Sequence, residues 1–201
     1  MKKLGILATA IAMLSIVSCK DDKKAEDAAA DGDTMETMEG DMNEKDSDMA
    51  EAKSVAFSLA SKSGSSATGK VEFIEEGGIV RMNAKVMGLQ PGMHAIHIHE
   101  SADCSAADGT SAGGHWNPTF EDHGKWGDSE GYHKGDIGNF EADADGVGTI
   151  SMQTDEWCIG CDDENKNILG KSIIVHQGAD DFTSQPSGAA GARVSCGGII
   201  Q

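Results

Sequence analysis

Short segments in which apolar residues occupy roughly every second position recur along the chain after residue 53. Such alternation is typical of β-strands with one buried face, because successive strand side chains point to opposite sides. Gly-rich or Ser-rich breaks separate the segments, and no segment of useful length has a helical period. The strand candidates are Val55–Leu59, Val71–Ile74, Ile79–Val86, His94–His99, Gly148–Gln153 and Ser172–His176. Their number and spacing predict an all-β, antiparallel sandwich or barrel.

The first 18 residues have the pattern of a signal peptide, in which two lysines precede an apolar run too short for a comfortable membrane span. The run ends in Ile16-Val17-Ser18-Cys19, which resembles the lipobox of bacterial lipoproteins. Ordinary cleavage beside an incidental Cys is the alternative, but secreted chains seldom leave a lone thiol unexplained. We therefore predict lipidation at Cys19 and membrane anchoring in a bacterial cell envelope, on the periplasmic side or at the cell surface.

The segment that follows, residues 19–52, is predicted to be a disordered acidic linker. Residues 20–52 contain 13 Asp and Glu against 4 Lys, a net charge of −9, and almost no large apolar side chains. Its thioethers are soft ligands that could collect Cu(I), although inert solvated Met is the preferred interpretation. These are Met35, Met38, Met42 and Met49. A single domain over residues 53–201 remains, and the whole chain, with a formal net charge of −18, is not expected to bind nucleic acid.

Cysteine parity agrees with export. Of five Cys, removal of the lipidated one leaves an even number, which permits two disulfides in an oxidising compartment. The close pair Cys158-Ile-Gly-Cys161 could form a small disulfide, a redox pair or a metal clip. No helix is predicted beside it, so a thioredoxin-like motif is disfavoured and a structural disulfide is preferred.

All seven histidines lie between residues 94 and 176. His97 and His99 project to one side of a predicted strand and form a natural pair of metal ligands. His94 points to the other side, which indicates a residue that supports ligands or anchors a loop by hydrogen bonds. His176 ends another apolar strand.

The aperiodic segment from Ser101 to Asn139 is far longer than ordinary connections, so something must order it. Three imidazoles and one carboxylate within it make a tetrahedral zinc set without an open position. They are His115, His123, His133 and Asp136. A polar loop with chance histidines is the alternative, and their number together with the strand histidines argues against it.

The pattern of these residues resembles that of a known family, the copper/zinc superoxide dismutases, in a bacterial lipoprotein form. The resemblance covers residues 54 to 201 and consists of motifs in the family's order. They are Gly92-Met-His94-Ala-Ile-His97-Ile-His99-Glu100, Gly113-Gly-His115-Trp-Asn-Pro118, His123, His133-Lys-Gly-Asp136, Val175-His176-Gln-Gly-Ala-Asp180-Asp181 and Gly191-Ala-Arg193-Val-Ser-Cys196-Gly197.

The resemblance implies a Greek-key antiparallel β-sandwich or barrel with long metal-binding loops. It implies a copper site and a zinc site that share His115, with Asp180 hydrogen-bonded to one ligand of each metal. It also implies a Cys104–Cys196 disulfide and places Arg193 beside the copper. The implied copper ligands are His97, His99, His115 and His176, and the implied zinc ligands are His115, His123, His133 and Asp136.

The implied activity converts two superoxide anions and two protons into dioxygen and hydrogen peroxide by redox cycling of copper, with zinc structural. Arg193 and His115 are the implied catalytic residues, and protection of the cell envelope from extracytoplasmic superoxide is the expected role. The segment from Asp180 to Arg193 contains no Lys, unlike eukaryotic relatives, so steering of superoxide relies on Arg193, with Lys125 and Lys134 as further candidates. The resemblance allows a homodimer, whose contact differs between branches of the family.

Two alternatives come from other functional classes. A non-catalytic copper- and zinc-binding envelope lipoprotein would keep the ligands without turnover, and a structural surface protein would reuse the sandwich alone. The presence of both ligand sets, the shared histidine and Arg193 favours the enzyme, because a metal buffer needs neither the arginine nor a bridged pair.

Overall fold

The computed structural model describes residues 52–201, which form an antiparallel β structure. The predicted signal peptide, the predicted lipidation site Cys19 and nearly all of the predicted acidic linker lie outside the described residues. The eight strands are β1 (Lys53–Ser61), β2 (Thr68–Glu76), β3 (Ile79–Met87), β4 (Gly92–His99), β5 (Gly138–Ala142), β6 (Gly148–Thr154), β7 (Ser172–His176) and β8 (Arg193–Gly198). One short 3-10 helix spans Thr110–Ala112. Among the described residues no helix has the length and apolar character needed to cross a membrane.

The strands close into one barrel in the order β1-β2-β3-β6-β5-β4-β7-β8, and all pairs are antiparallel. Strand β3 pairs with β6 and β4 pairs with β5 and β7, so that β3 and β4 are consecutive in the chain without being neighbours. Connections of this kind define a Greek key. The predicted all-β antiparallel fold is confirmed as a closed barrel. All six predicted segments lie within strands, whereas β5 and β8 were not predicted as strands.

The interior is filled by the alternating apolar positions. In β3 every even-numbered residue from Val80 to Val86 is buried and every odd-numbered residue is exposed. Val71 and Phe73 in β2 follow the same rule. Burial of one face per strand supplies the hydrophobic core, which contributes the main favourable free energy of folding.

Strands β4 and β7 differ because both of their faces are buried. Ile96 and Ile98 point into the core, while His97 and His99 point to the outer face and are still less than 2% exposed. Long loops must therefore cover this wall of the barrel. The covered outer face of β4 and β7 is where the histidines collect.

Residues 100–137, 155–171 and 177–192 form the long loops that flank these strands. A disulfide between Cys104 and Cys196, with 5.8 Å between the Cα atoms, ties the first loop to β8. A second disulfide joins Cys158 and Cys161 in the loop between β6 and β7. The predicted use of four cysteines in two disulfides, including the small Cys158–Cys161 link, is thereby confirmed.

Candidate metal centre

The outer face of β4 and β7 brings together four buried histidines. His97 and His99 lie on β4, His176 ends β7, and His115 comes from the loop and pairs with His99 in an isolated β-bridge. One ligand atom from each residue lies within 4.8 Å of the others. A second group of the same compactness shares His115 and adds His123, His133 and Asp136.

Six ring nitrogens in these groups are buried without a hydrogen-bond partner. They are Nδ1 of His97, Nε2 of His99, Nε2 of His115, Nδ1 of His123, Nδ1 of His133 and Nε2 of His176. A buried polar atom left without a partner costs free energy, so a cluster of six calls for a common partner. Nitrogen donors in this number suit copper and zinc, and the residues present therefore fit both metals.

The opposite nitrogen of several rings is fixed by the protein. His97 Nε2 lies 2.9 Å from Asp180 Oδ2, and His99 Nδ1 lies 3.0 Å from the carbonyl oxygen of Gly113. His176 Nδ1 lies 3.4 Å from the carbonyl oxygen of Gly191. Because these oxygens can only accept, the facing nitrogens carry the N–H, and the unpartnered nitrogens present lone pairs inward.

The second group surrounds the carboxylate of Asp136. Its Oδ1 lies 2.8 Å from His115 Nδ1 and 3.2 Å from His133 Nδ1, and its Oδ2 lies 3.0 Å from His123 Nδ1. The His123 and His133 nitrogens are this close to the carboxylate yet lack hydrogen-bond geometry. Their lone pairs converge on a shared point, which is the arrangement expected of ligands around one cation.

Asp180 connects the two groups. Its Oδ2 faces His97 and its Oδ1 lies 2.9 Å from Nε2 of His123, and all three side chains are fully buried. Burial alone would raise the pKa of Asp180, but its hydrogen bonds to the two histidines outweigh burial and hold the pKa well below the ordinary range. An ionised carboxylate thus fixes the ring orientation of one residue in each group.

Three histidines of the first group, His99, His115 and His176, are held neutral by their surroundings. Burial, followed by repulsion from neighbouring imidazoles, lowers the pKa of His99 and of His176 well below the ordinary value. Burial also outweighs the hydrogen bond to Asp136 and lowers the pKa of His115 to about 4. Neutral imidazole is the form that binds metals.

The second group is built around an ionised carboxylate. Burial alone would raise the pKa of Asp136, but contacts with three histidines hold it far below the ordinary range. Burial alone would lower the pKa of His123, yet Asp136 and Asp180 outweigh it and raise the pKa to about 9. These carboxylates favour positive charge at this position, which is the charge that a bound cation supplies.

A cavity of about 410 Å³ opens onto the first group and is lined by His99, His115, His176 and Arg193, among others. The Arg193 guanidinium donates one hydrogen bond to the Gly109 carbonyl (2.8 Å) and one to the Gly113 carbonyl (2.7 Å). Burial lowers its pKa, but arginine stays cationic in proteins. Neither Lys125 nor Lys134 lines this cavity, and Lys134 is paired with Glu156.

His94 lies away from the metal-facing nitrogens. Its Nδ1 is 2.8 Å from the carbonyl oxygen of His176 and its Nε2 is 2.7 Å from the carbonyl oxygen of Gln90. The side chain thereby links the end of β7 to the turn before β4. It anchors backbone and contributes no atom to either group.

Sequence reasoning missed two residues of the loop between β7 and β8. The Gln185 side chain accepts a hydrogen bond from the His123 backbone N–H (2.8 Å) and donates one to the His123 carbonyl (2.9 Å). Gly188 lies so close to Asp180 and His123 that a side chain would not fit. Neither residue carries a recognisable motif, and only the folded loop brings them to the site.

A family model described as copper/zinc superoxide dismutase matches residues 67–199, which include every residue of both groups. A Cu-Zn superoxide dismutase from Mesembryanthemum crystallinum is 37% identical over 136 residues, covering 64% of this chain and 84% of the relative. An extracellular Cu-Zn superoxide dismutase from Haemonchus contortus is 37% identical over 137 residues, covering 65% of this chain and 72% of the relative. The solved structure of a double mutant of a SOD-like protein from Bacillus subtilis aligns with a TM-score of 0.64 at 33% identity, covering 73% of this chain and 97% of that one.

Proposed function

The chain belongs to the copper/zinc superoxide dismutase family, and we propose that it removes superoxide at a bacterial cell envelope through a binuclear site shared by His115. As a member of this family it is an oxidoreductase whose substrate is superoxide and whose cofactors are copper and zinc. The observation that carries the proposed site is the set of six buried, unpartnered ring nitrogens in two groups that meet at His115.

We assign copper to the group that opens onto the cavity and zinc to the group that contains the carboxylate. The copper ligands are Nδ1 of His97 and Nε2 of His99, His115 and His176. The zinc ligands are Nδ1 of His115, His123 and His133, and the carboxylate of Asp136. A closed set of three imidazoles and one carboxylate suits a structural zinc, whereas the copper group faces the cavity through which a small anion can enter.

Copper, when bound, supplies one-electron redox chemistry, so that one superoxide is oxidised to dioxygen while a second is reduced and takes up two protons to give hydrogen peroxide. Arg193 draws the anion into the cavity, and its two hydrogen bonds to Gly109 and Gly113 hold the guanidinium beside His99 and His176. We assign His115 the transfer of one of the two protons at Nε2, a nitrogen that can carry a proton only while its lone pair is not coordinated. Asp180 and His94 keep the ligands and their backbone in place.

The proposed location rests on several features. The signal pattern and the motif ending in Cys19 favour export and a lipid anchor, with residues 19–52 as a linker and residues 53–201 as the enzyme domain. Two disulfides favour an oxidising compartment. A matched relative is named as extracellular. We propose the periplasmic side or the cell surface as the site of action. We also propose that the protein forms a homodimer, which sedimentation tests.

Metal analysis combined with a superoxide-decay assay tests this proposal. Protein loaded with copper and zinc is expected to hold one ion of each and to accelerate superoxide decay, while zinc-only protein should not, because zinc has no redox chemistry. His115→Ala removes the shared ligand and is expected to lose most activity and to bind zinc more weakly. Full activity and unchanged metal spectra in that variant would overturn the binuclear assignment. Binding of both metals by wild type without catalysis would instead favour the non-catalytic lipoprotein.

A further inference from the structure

The loop of residues 100–137 carries the proposed zinc ligands and is called the zinc loop. It contacts the loop between β6 and β7, residues 155–171, which the proposed mechanism does not use. We infer that Glu156 and Trp157 in this second loop are positioning residues for the zinc ligand His133. The inference rests on the proposed assignment of zinc to His115, His123, His133 and Asp136. It also supplies a structural setting for the Cys158–Cys161 pair.

One carboxylate holds both neighbours of His133. Glu156 Oε1 accepts a hydrogen bond of 2.7 Å from the Tyr132 hydroxyl, and Glu156 Oε2 forms an ion pair with the Lys134 ammonium. Burial alone would raise the pKa of Glu156, but these two partners outweigh burial and lower the pKa below the ordinary value. The carboxylate is therefore ionised at neutral pH and accepts on both sides of the ligand.

Trp157 makes the third contact. Its indole Nε1 donates a hydrogen bond of 2.9 Å to the backbone carbonyl of Lys134, and its ring is 1% exposed. The ring packs edge-on against Phe73 of the barrel (5.9 Å between centroids) and against Trp126 of the zinc loop (5.3 Å). Trp126 in turn lies 5.0 Å from Tyr132. The contact to Lys134 is thus anchored in the barrel core.

These contacts fix the backbone that carries the zinc ligand His133. The backbone N–H of His133 donates to Asp136 Oδ2 (2.8 Å), while its Nδ1 lies 3.2 Å from Asp136 Oδ1. Both the carboxylate and the ring therefore depend on the backbone path from 132 to 134. Fixing that path from Glu156 and Trp157 fixes the distance between two zinc ligands.

The segment that carries the two positioning residues is itself braced. Directly after Trp157, Cys158 forms the disulfide to Cys161. The Cys158 N–H donates to the Lys166 carbonyl (2.8 Å), and the Cys158 carbonyl accepts from Ile168 (3.1 Å). The small disulfide thus constrains the backbone directly after Glu156 and Trp157. This is a structural role, the one that the sequence analysis preferred for the pair.

Zinc release from the fully loaded protein tests the inference, with a chromogenic chelator as the probe. Glu156→Ala is expected to release zinc about tenfold faster than wild type, as is typical when a residue that orients a ligand is removed. Copper release should stay unchanged because no copper ligand touches this segment. Glu130→Ala is the matched control, since it removes one carboxylate from an exposed part of the zinc loop, residues 100–137, and it should release zinc at the wild-type rate.

Two further samples keep the test decisive if Glu156→Ala folds poorly. Glu156→Gln keeps the shape and an oxygen for Tyr132 but not the ion pair, and should give a smaller acceleration. Cobalt placed in the zinc site should show shifted d–d bands in both variants. A wild type that holds no zinc contradicts the proposed function. A wild type that holds zinc, with Glu156 variants that release it at the same rate or lose copper and zinc equally, overturns this inference alone.

Discussion

At the scale of single residues, four imidazoles of the proposed centre each have one ring nitrogen facing an acceptor of the protein. Asp180 takes one nitrogen of His97 and one of His123, and backbone carbonyls take one nitrogen of His99 and of His176. The remaining nitrogens point inward with their lone pairs free. Ring orientation therefore depends on a few hydrogen-bond acceptors, and their removal should lower the affinity of the site for its metals.

Gly188 allows a direct test of the Asp180 contact. A Cβ atom at Gly188 would lie 1.8 Å from Asp180 Oδ1 and 2.7 Å from His123 Nε2, so Gly188→Ala must push the carboxylate away from the ring. We expect zinc affinity to fall by about 10- to 100-fold. Gly64→Ala is the matched control, because Gly64 has nearly the same backbone angle (φ +72° against +68°) but open space around its Cβ.

The control variant separates the contact from backbone strain. Gly64→Ala should lose about 1 kcal/mol of stability, the cost of placing Ala in the left-handed region, and should keep wild-type zinc affinity. Chelator competition and thermal unfolding measure the two quantities. Equal zinc affinity in the two variants would show that the Asp180 position has no influence on the zinc site.

Arg193 is expected to be the main steering group for superoxide. Among the described residues, Arg193 is the only basic side chain, lysine or arginine, that lines the cavity. Hydrogen bonds to two backbone carbonyls fix its guanidinium. Arg193→Ala should lower the catalytic rate by about tenfold with metal content intact, and Arg193→Lys should lose less because it keeps the charge without the planar fork. Arg81→Ala, which removes the same charge from β3 on the outer barrel wall, is the control.

The rate is to be measured across a salt series, with metal content checked in each sample. Wild type and Arg81→Ala should slow as salt rises, since screening weakens the attraction between the anion and the cavity, and Arg193→Ala should respond less. An unchanged rate in fully metallated Arg193→Ala would remove Arg193 from this role.

At the scale of elements, strand pairing decides which residues meet at the cavity. The pairing of β7 with β8 shifts register at the end of β7, so that Val175 pairs with Ser195 while His176 pairs with Arg193. Bulges of this kind re-aim side chains near functional sites. Here the shift sets Arg193 opposite His176. The Cys104–Cys196 disulfide then ties β8 to the loop whose carbonyls bind the guanidinium.

The two disulfides should differ in their effect on stability. Cys104 and Cys196 are 92 residues apart and Cys158 and Cys161 only 3. On the chain-entropy account, removal of the first costs about 4 to 5 kcal/mol and removal of the second about 1.5 kcal/mol. Paired Ser variants compared by denaturant unfolding provide the measurement. Equal losses for both pairs would mean that loop length does not govern their contributions.

At the scale of the whole molecule, charge opposes the substrate. Residues 53–201 contain 21 Asp and Glu against 10 Lys and Arg, a net charge of −11, and superoxide is an anion. Screening limits this repulsion, because the Debye length is about 8 Å at physiological salt, whereas Arg193 lies inside the cavity itself. We therefore expect the local field of Arg193 at the cavity to outweigh the distant carboxylates.

The acidic linker should be dispensable for catalysis. A variant that lacks residues 20–52 is expected to keep the rate and the melting temperature of the protein that has them, because an acidic segment poor in apolar residues has little surface to pack against a domain. Copper occupancy should also be unchanged. A large fall in copper content on deletion would instead assign the linker methionines a role in metal capture.

Local periodicity predicted the parts of the fold that depend on neighbours along the chain. The clean alternation of β3 and the shared side of His97 and His99 both follow from the strand repeat of two residues. Strand β5 was not predicted because it is short and follows directly on the long aperiodic loop. Strand β8 was not predicted because its sequence, Arg193-Val-Ser-Cys-Gly-Gly198, lacks alternation. The residue types in the long loop predicted the zinc set, whereas the sharing of His115 and the complete copper set came from resemblance to a family.

Contacts between distant segments were decided by barrel closure alone. Asp180 reaches His97 across 83 positions and His123 across 57, and Glu156 reaches Tyr132 across 24. No periodic signal links such residues, since their distance depends on which strands become neighbours and on how the loops pack over β4 and β7. The sequence by itself determined an antiparallel β domain rich in metal-binding side chains. The tertiary structure decided which ring nitrogen of His97, His99, His123 and His176 is left without a protein partner, because hydrogen bonds to Asp180, Gly113 and Gly191 form only after the loops close over the barrel.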